Sequence, residues 1–153
     1  MTDEAQQVPE AGALLGVDYG TRRIGVAVCN GDQSIAVPLE TWISRTPELD
    51  GKHFRELASD YRIRGIVLGL PVMTQSGEEG RQAALTRKFG EWLRQEVQLP
   101  VAYWDERYSS AAAEAVLWSR GETPGRDKGR LDGLAAQIIL QGFLDRRASP
   151  GKP

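Results

Sequence analysis

Cysteine and histidine are almost absent from this chain, with one of each, Cys29 and His53, in 153 residues. A single cysteine excludes an internal disulfide and suits a reducing compartment. Long apolar runs are missing as well: no stretch approaches the ~20 residues of a membrane span. The opening segment MTDEAQQVPE is acidic and lacks the basic-then-apolar order of a secretory signal, so a cytoplasmic location without a membrane partner is expected. There is no strong excess of either charge, the formal net charge being −2. That balance does not advertise a nucleic-acid partner, although local charge matters more than the sum. Internal repeats and low-complexity linkers are also lacking. What remains is an ordinary globular composition, 41% hydrophobic and 26% charged, in a chain long enough to bury a core unaided.

The pattern of apolar runs places the elements. Leu14–Val17 and Ile24–Cys29 read as buried strands. Only Gly20 to Arg23 separate them, so they form an antiparallel hairpin, with Asn30-Gly31 as the following turn. Ser34–Trp42 reads as a third strand, at an edge because of Pro38. Pro47 opens a helix to about Tyr61 with Phe54, Leu57, Ala58 and Tyr61 on one face. Gly65–Gly69 is a compact fourth strand. Gly80–Glu96 is a helix with Leu85, Phe89, Trp92 and Leu93 as its core stripe, and Val101–Trp104 is a fifth strand. Ser109 or Ser110 caps a helix to about Arg120, and a last helix runs from about Arg130 to Arg147. A meander followed by α-β alternation makes a single α/β domain with a mixed sheet, over residues 13–147. Residues 1–12 and 148–153 are expected to be flexible tails.

Acidic residues fall where this plan puts chemistry. Asp18 closes an apolar strand, where an ionised carboxylate is costly unless paired or holding a metal. Asp105 and Glu106 follow the fifth strand, whose C-terminal end lies on the same edge as that of the first. Asp132 sits at the start of the last helix, sharing a face with Ala135, Ala136 and Ile139. Three carboxylates converging there make a hard-oxygen site for Mg²⁺ or Mn²⁺. Two such ions ~4 Å apart activate water and stabilise the leaving oxygen in phosphodiester cleavage. Each acid also has a plain structural alternative. Asp18 could bond its own turn, Asp105 and Glu106 could pair with Arg107, and Asp132 could complement a helix dipole. His53, Cys29, Phe89 and Trp92 read as structural, and Trp42, Trp104 and Trp118 as packing rather than base-stacking residues.

Four ordered segments carry a family resemblance: GVDYGTRRIGVAV (Gly16–Val28), IVLGLPVMTQSGEEG (Ile66–Gly80), DERYSS (Asp105–Ser110) and KGRLDGLAAQIILQGFL (Lys128–Leu144). They resemble the YqgF/RuvX family of the RNase H-like nucleases. The resemblance implies an RNase H-like sheet of order 3-2-1-4-5 with helices on both faces. It implies catalytic, metal-binding acids at Asp18, Glu106 and Asp132. It also implies processing of the 5′ end of the small-subunit ribosomal RNA precursor, with resolution of DNA junctions or cutting of single-stranded DNA as the alternative. Arg22, Arg23, Arg107, Lys128 and Arg130 lie within a few residues of these acids and are the candidate phosphate contacts. A symmetric junction would favour a homodimer. Two other readings remain at this stage. Asp18-Tyr19-Gly20-Thr21 resembles a phosphate motif of actin-like ATPases, and the domain could be a non-catalytic nucleic-acid scaffold.

Overall fold

A computed structural model describes residues 7–71, 80–106 and 133–148. Its centre is a five-stranded sheet in the order β3-β2-β1-β4-β5. The strands are β1 (Leu14–Asp18), β2 (Arg23–Cys29), β3 (Ala36–Ile43), β4 (Gly65–Leu70) and β5 (Val101–Asp105). The short Tyr19–Arg22 connection leaves β2 no option but to return antiparallel to β1, pairing Asp18 with Gly25. β4 and β5 follow crossover helices and run parallel to β1. Pro38 indeed sits on the edge strand β3.

Strand alternation divides the core into two layers. Helix α1 (Pro47–Asp60) and helix α2 (Arg81–Val97) cover one face. There Leu15, Val17, Ile24, Val26, Ile66 and Leu68 meet Phe54, Leu57 and Leu93. Helix α3 (Leu134–Ala148) covers the other, where Leu14, Ala27, Val67 and Ala102 meet Ala136, Ile139, Leu140 and Phe143. Contact on this second face is close because Gly16 has no side chain. A Cβ there would lie 2.7 Å from Leu140 Cβ and 2.9 Å from the Ala136 carbonyl oxygen.

The entry into α1 is fixed locally. Thr46 caps it by accepting from the Leu49 amide, and Pro47 occupies its first turn. Asp50, buried in that turn, accepts from Trp42 Nε1 at 2.8 Å, Ser44 Oγ at 2.6 Å and the Arg45 amide at 2.9 Å. Burial opposes its ionisation, but these three donors outweigh it and hold the carboxyl below the usual carboxylate range. His53 is structural, as expected: it stacks on Trp42 at 3.7 Å and bonds Glu40 Oε2 at 2.8 Å. Cys29 is buried core, and Trp104 packs edge-on to Phe143.

Three expectations are corrected. The segment after residue 7 is not a loose tail, because Val8 is 0% exposed and packs at Gly65. Its carbonyl and that of Pro9 accept from the Arg147 guanidinium. Leu85 is not core. Ala83, Thr86, Gly90 and Leu93 are buried instead, one row round the helix, and Leu85 is 37% exposed. The last helix begins at Leu134 rather than near Arg130. Gly133 precedes it with φ +75°, a left-handed backbone that a right-handed helix does not contain. The helix expected after Ser109 or Ser110, and Trp118 within it, lie outside the described residues. No helix among the described residues is long and apolar enough to cross a membrane.

Candidate active site

Two of the three acids named from the sequence converge at the C-terminal edge of the parallel strands. Asp18 is the last residue of β1, and by strand alternation its side chain points with that of Leu14 to the α3 face, the face on which Gly16 lies against Leu140. Across the hairpin, a Cβ on Gly25 would lie 3.5 Å from Asp18 Cβ and 3.8 Å from Ala136 Cβ. The start of α3 therefore roofs this carboxylate. Two strands away, Trp104 points to the α3 face, Asp105 away from it and Glu106 back towards it. That alternation selects Glu106 over Asp105 as the partner of Asp18. The absence of a side chain at Gly69 makes room chiefly for Ile139, with which a Cβ there would collide, and also eases the approach of Glu106, whose Cγ would lie 3.3 Å from it.

The electrostatics mark the pair as unusual. Burial alone pushes the Asp18 carboxyl above its ordinary range. Glu106 is raised to about 7, first by burial and then by the negative charges of Asp18 and Asp105. No hydrogen-bond donor or cation among the described residues pairs with either carboxylate, and the turn-bonding alternative for Asp18 finds no bond to support it. Such a pair is costly when ionised and suits an oxygen-seeking dication.

Asp132 lies outside the described residues, as do Arg107, Lys128 and Arg130. Its neighbour Gly133 is buried. The Gly133 amide donates to Thr41 Oγ1 at 3.3 Å, and a Cβ there would meet the Val26 carbonyl at 2.7 Å. Among the described residues alone, no cluster of three His, Cys, Asp or Glu could hold a metal. Arg22 and Arg23 are both exposed, at the end of the β1–β2 connection. Arg23 shares its strand face with Gly25, the register partner of Asp18.

The sequence reading missed one feature beside these acids. Tyr19, next to Asp18, stacks on Phe89 at 4.3 Å, and Phe89 and Trp92 are only half-buried, lining a groove. The small residues Ala83 and Gly90, which mark the true sheet-facing row of α2, were the available signal.

Comparison with known proteins agrees with this geometry. Residues 12–146 match the RuvX family, described as Holliday junction resolvase. A Rhodopirellula baltica protein carrying the name "Putative pre-16S rRNA nuclease" is 42% identical over 137 residues, 90% of this chain and 79% of its own. A Cereibacter sphaeroides protein of the same name is 45% identical over 140 residues, 91% of this chain and 86% of its own. Among solved structures, Thermus thermophilus RuvC in complex with a Holliday junction substrate superposes with a TM-score of 0.61 at 17% identity. The match covers 90% of this chain and 97% of that one, a likeness of fold.

Proposed function

This chain belongs to the RuvX family of nucleases, and we propose that it uses divalent metal to mature the 5′ end of the precursor of 16S ribosomal RNA, in the cytoplasm. The observation that carries this reading is the convergence of Asp18 and Glu106, two half-buried carboxylates without a counter-charge among the described residues. Their donor set is all oxygen, which fits Mg²⁺ or Mn²⁺. Asp132 is proposed as the third carboxylate, since the α3 start that follows it roofs Asp18. These carboxylates would hold the ion, which would supply an acidified water and offset negative charge on the phosphate.

The remaining work falls to the protein's own groups. Asp18 ends β1 and Glu106 directly follows β5, the two parallel strands that flank β4, so their spacing is set by the sheet rather than by loops. Glu106 keeps its proton to about pH 7 without a cation, so loading the site is coupled to release of that proton. Arg22 and Arg23 are proposed to hold phosphates on approach, aided by Arg107, Lys128 and Arg130.

Junction resolution is the second reading, favoured by the family's description as a Holliday junction resolvase. The test is to offer labelled precursor RNA, single-stranded DNA and a four-way junction side by side, with Mg²⁺ and with Mn²⁺. Preferential trimming of the RNA at its 5′ end is expected. Faster cutting of the junction would favour the second reading. Binding without cutting of any of the three would make the domain a scaffold.

A further inference from the structure

On the sheet face opposite the carboxylates, the same edge carries a groove of about 340 Å³ between the β1–β2 hairpin and α2. Its walls are Tyr19, Ile24, Leu85, Phe89 and Trp92, with Lys88 on its rim. The rings form a continuous ladder, with Tyr19 4.3 Å from Phe89 and Phe89 5.6 Å from Trp92. Leu85 and Lys88 are exposed at the mouth. The polar floor is already satisfied, because Asp50 is bonded by Trp42, Ser44 and the Arg45 amide. Charge at the groove is mixed, with Lys88 in its lining against the ionised, fully bonded Asp50 of the floor. Arg22, whose carbonyl accepts from the Ser44 amide at 2.9 Å, and Arg45 add exposed cations on the neighbouring segment, against the exposed Glu48 beside Pro47.

An apolar, aromatic slot with exposed cations near its mouth matches a base on a phosphate backbone: the ring enters the slot and the phosphates reach the ammonium and guanidinium groups outside it. We propose that this groove takes one unpaired nucleobase of the substrate strand, against the Tyr19–Phe89–Trp92 ladder. The inference rests on the nuclease reading, because Tyr19 directly follows Asp18. It adds a substrate class: strands with an unpaired nucleotide beside the cut, in preference to continuous duplex. A stacked base is insensitive to sequence, so the preference is for pairing state rather than for base identity.

The test measures binding without metal, by anisotropy, of three labelled RNAs: a short single strand, the same strand with an abasic nucleotide at one position, and its blunt duplex. The intact strand is expected to bind about 10-fold tighter than the best-placed abasic strand, the scale of one lost base-aromatic stack. Phe89→Leu removes a ring while keeping apolar bulk, and Leu85→Trp fills the mouth from an exposed position. Both should abolish the difference while leaving abasic binding unchanged. Should Phe89→Leu prove unfolded, Leu85→Trp decides alone. Equal affinity for intact and abasic strands at every position, or a base preference that survives Leu85→Trp, overturns the proposal. A protein that cuts but shows no base preference defeats only the groove. One that shows the preference but cuts nothing defeats only the nuclease reading.

Discussion

Glu106 and Asp18 are electrostatically linked: burial first, then the negative charge of Asp18 and that of Asp105, raise the Glu106 carboxyl to about 7. Neither residue neighbours the other in sequence. β4 lies between β1 and β5, and Gly69 on it leaves space for Ile139 and for the approach of Glu106.

That relationship sets a pH dependence. Glu106 binds its proton more tightly folded than unfolded, so its contribution to stability is fully present below its ordinary value of 4.5. It is lost as pH rises through about 7. Metal-free protein should therefore melt at progressively lower temperature between these limits, and Glu106→Gln should flatten that part of the profile. A Glu106→Gln profile identical to the parent's would count against the burial and charge described for this carboxyl.

Divalent metal should reverse the penalty. Saturating Mn²⁺ binds the folded state alone and raises Tm; at 100 times its Kd the gain is about 2.7 kcal/mol. The gain should be larger at pH 8, where Glu106 is ionised, than at pH 5. Asp18→Asn should remove most of it. An equal Mn²⁺ shift in parent and variant would move the ion elsewhere.

Two glycines in the first hairpin should respond differently to alanine. At Gly16 the added methyl meets Leu140 and the Ala136 carbonyl below 3.0 Å. Gly16→Ala should cost about 1–3 kcal/mol, because a backbone oxygen has nowhere to go. At Gly25 the contacts with Asp18 Cβ and Ala136 Cβ are 3.5 and 3.8 Å, ordinary packing. Gly25→Ala should fold normally. Denaturant unfolding of both variants separates them.

Arg22 and Arg23 should act through charge alone. Replacing both with Ala should weaken RNA binding and reduce the slope of log affinity against log salt by about 1.8, near 0.9 for each phosphate contact on a duplex and somewhat less on a single strand. Tm should be unchanged, since both side chains are exposed. An unaltered salt slope would remove them from the phosphate path.

Much of this was legible in the chain itself. Apolar runs of strand length, the four-residue hairpin link and Pro38 specify the sheet and its edge because alternation and turn length leave few options. Asp18 and Glu106 could be placed on one edge because parallel strands end together. The choice of Glu106 over Asp105 from residues alone needed the register of β5, which only the packed sheet supplies. Tertiary context also decided the rest. Val8 is buried because Gly65 leaves it a hole, a pairing across the domain that no local pattern encodes. Leu85 was misplaced because apolar residues occupy two adjacent rows of α2, and small residues, not large ones, face the sheet.

The most direct measurement is cleavage by Asp18→Asn in Mn²⁺, taken together with its melting temperature and RNA affinity. Asn keeps the size and one carbonyl oxygen but removes the charge. The account predicts a folded protein, at least as stable as the parent because a half-buried carboxylate without a counter-charge among the described residues is gone. Its RNA binding without metal should be equal or slightly tighter, and its cleavage slower by at least ~100-fold, the scale of losing a catalytic electrostatic contact. A folded Asp18→Asn that binds RNA and cuts it at near the parental rate would contradict the assignment of this edge as the metal site.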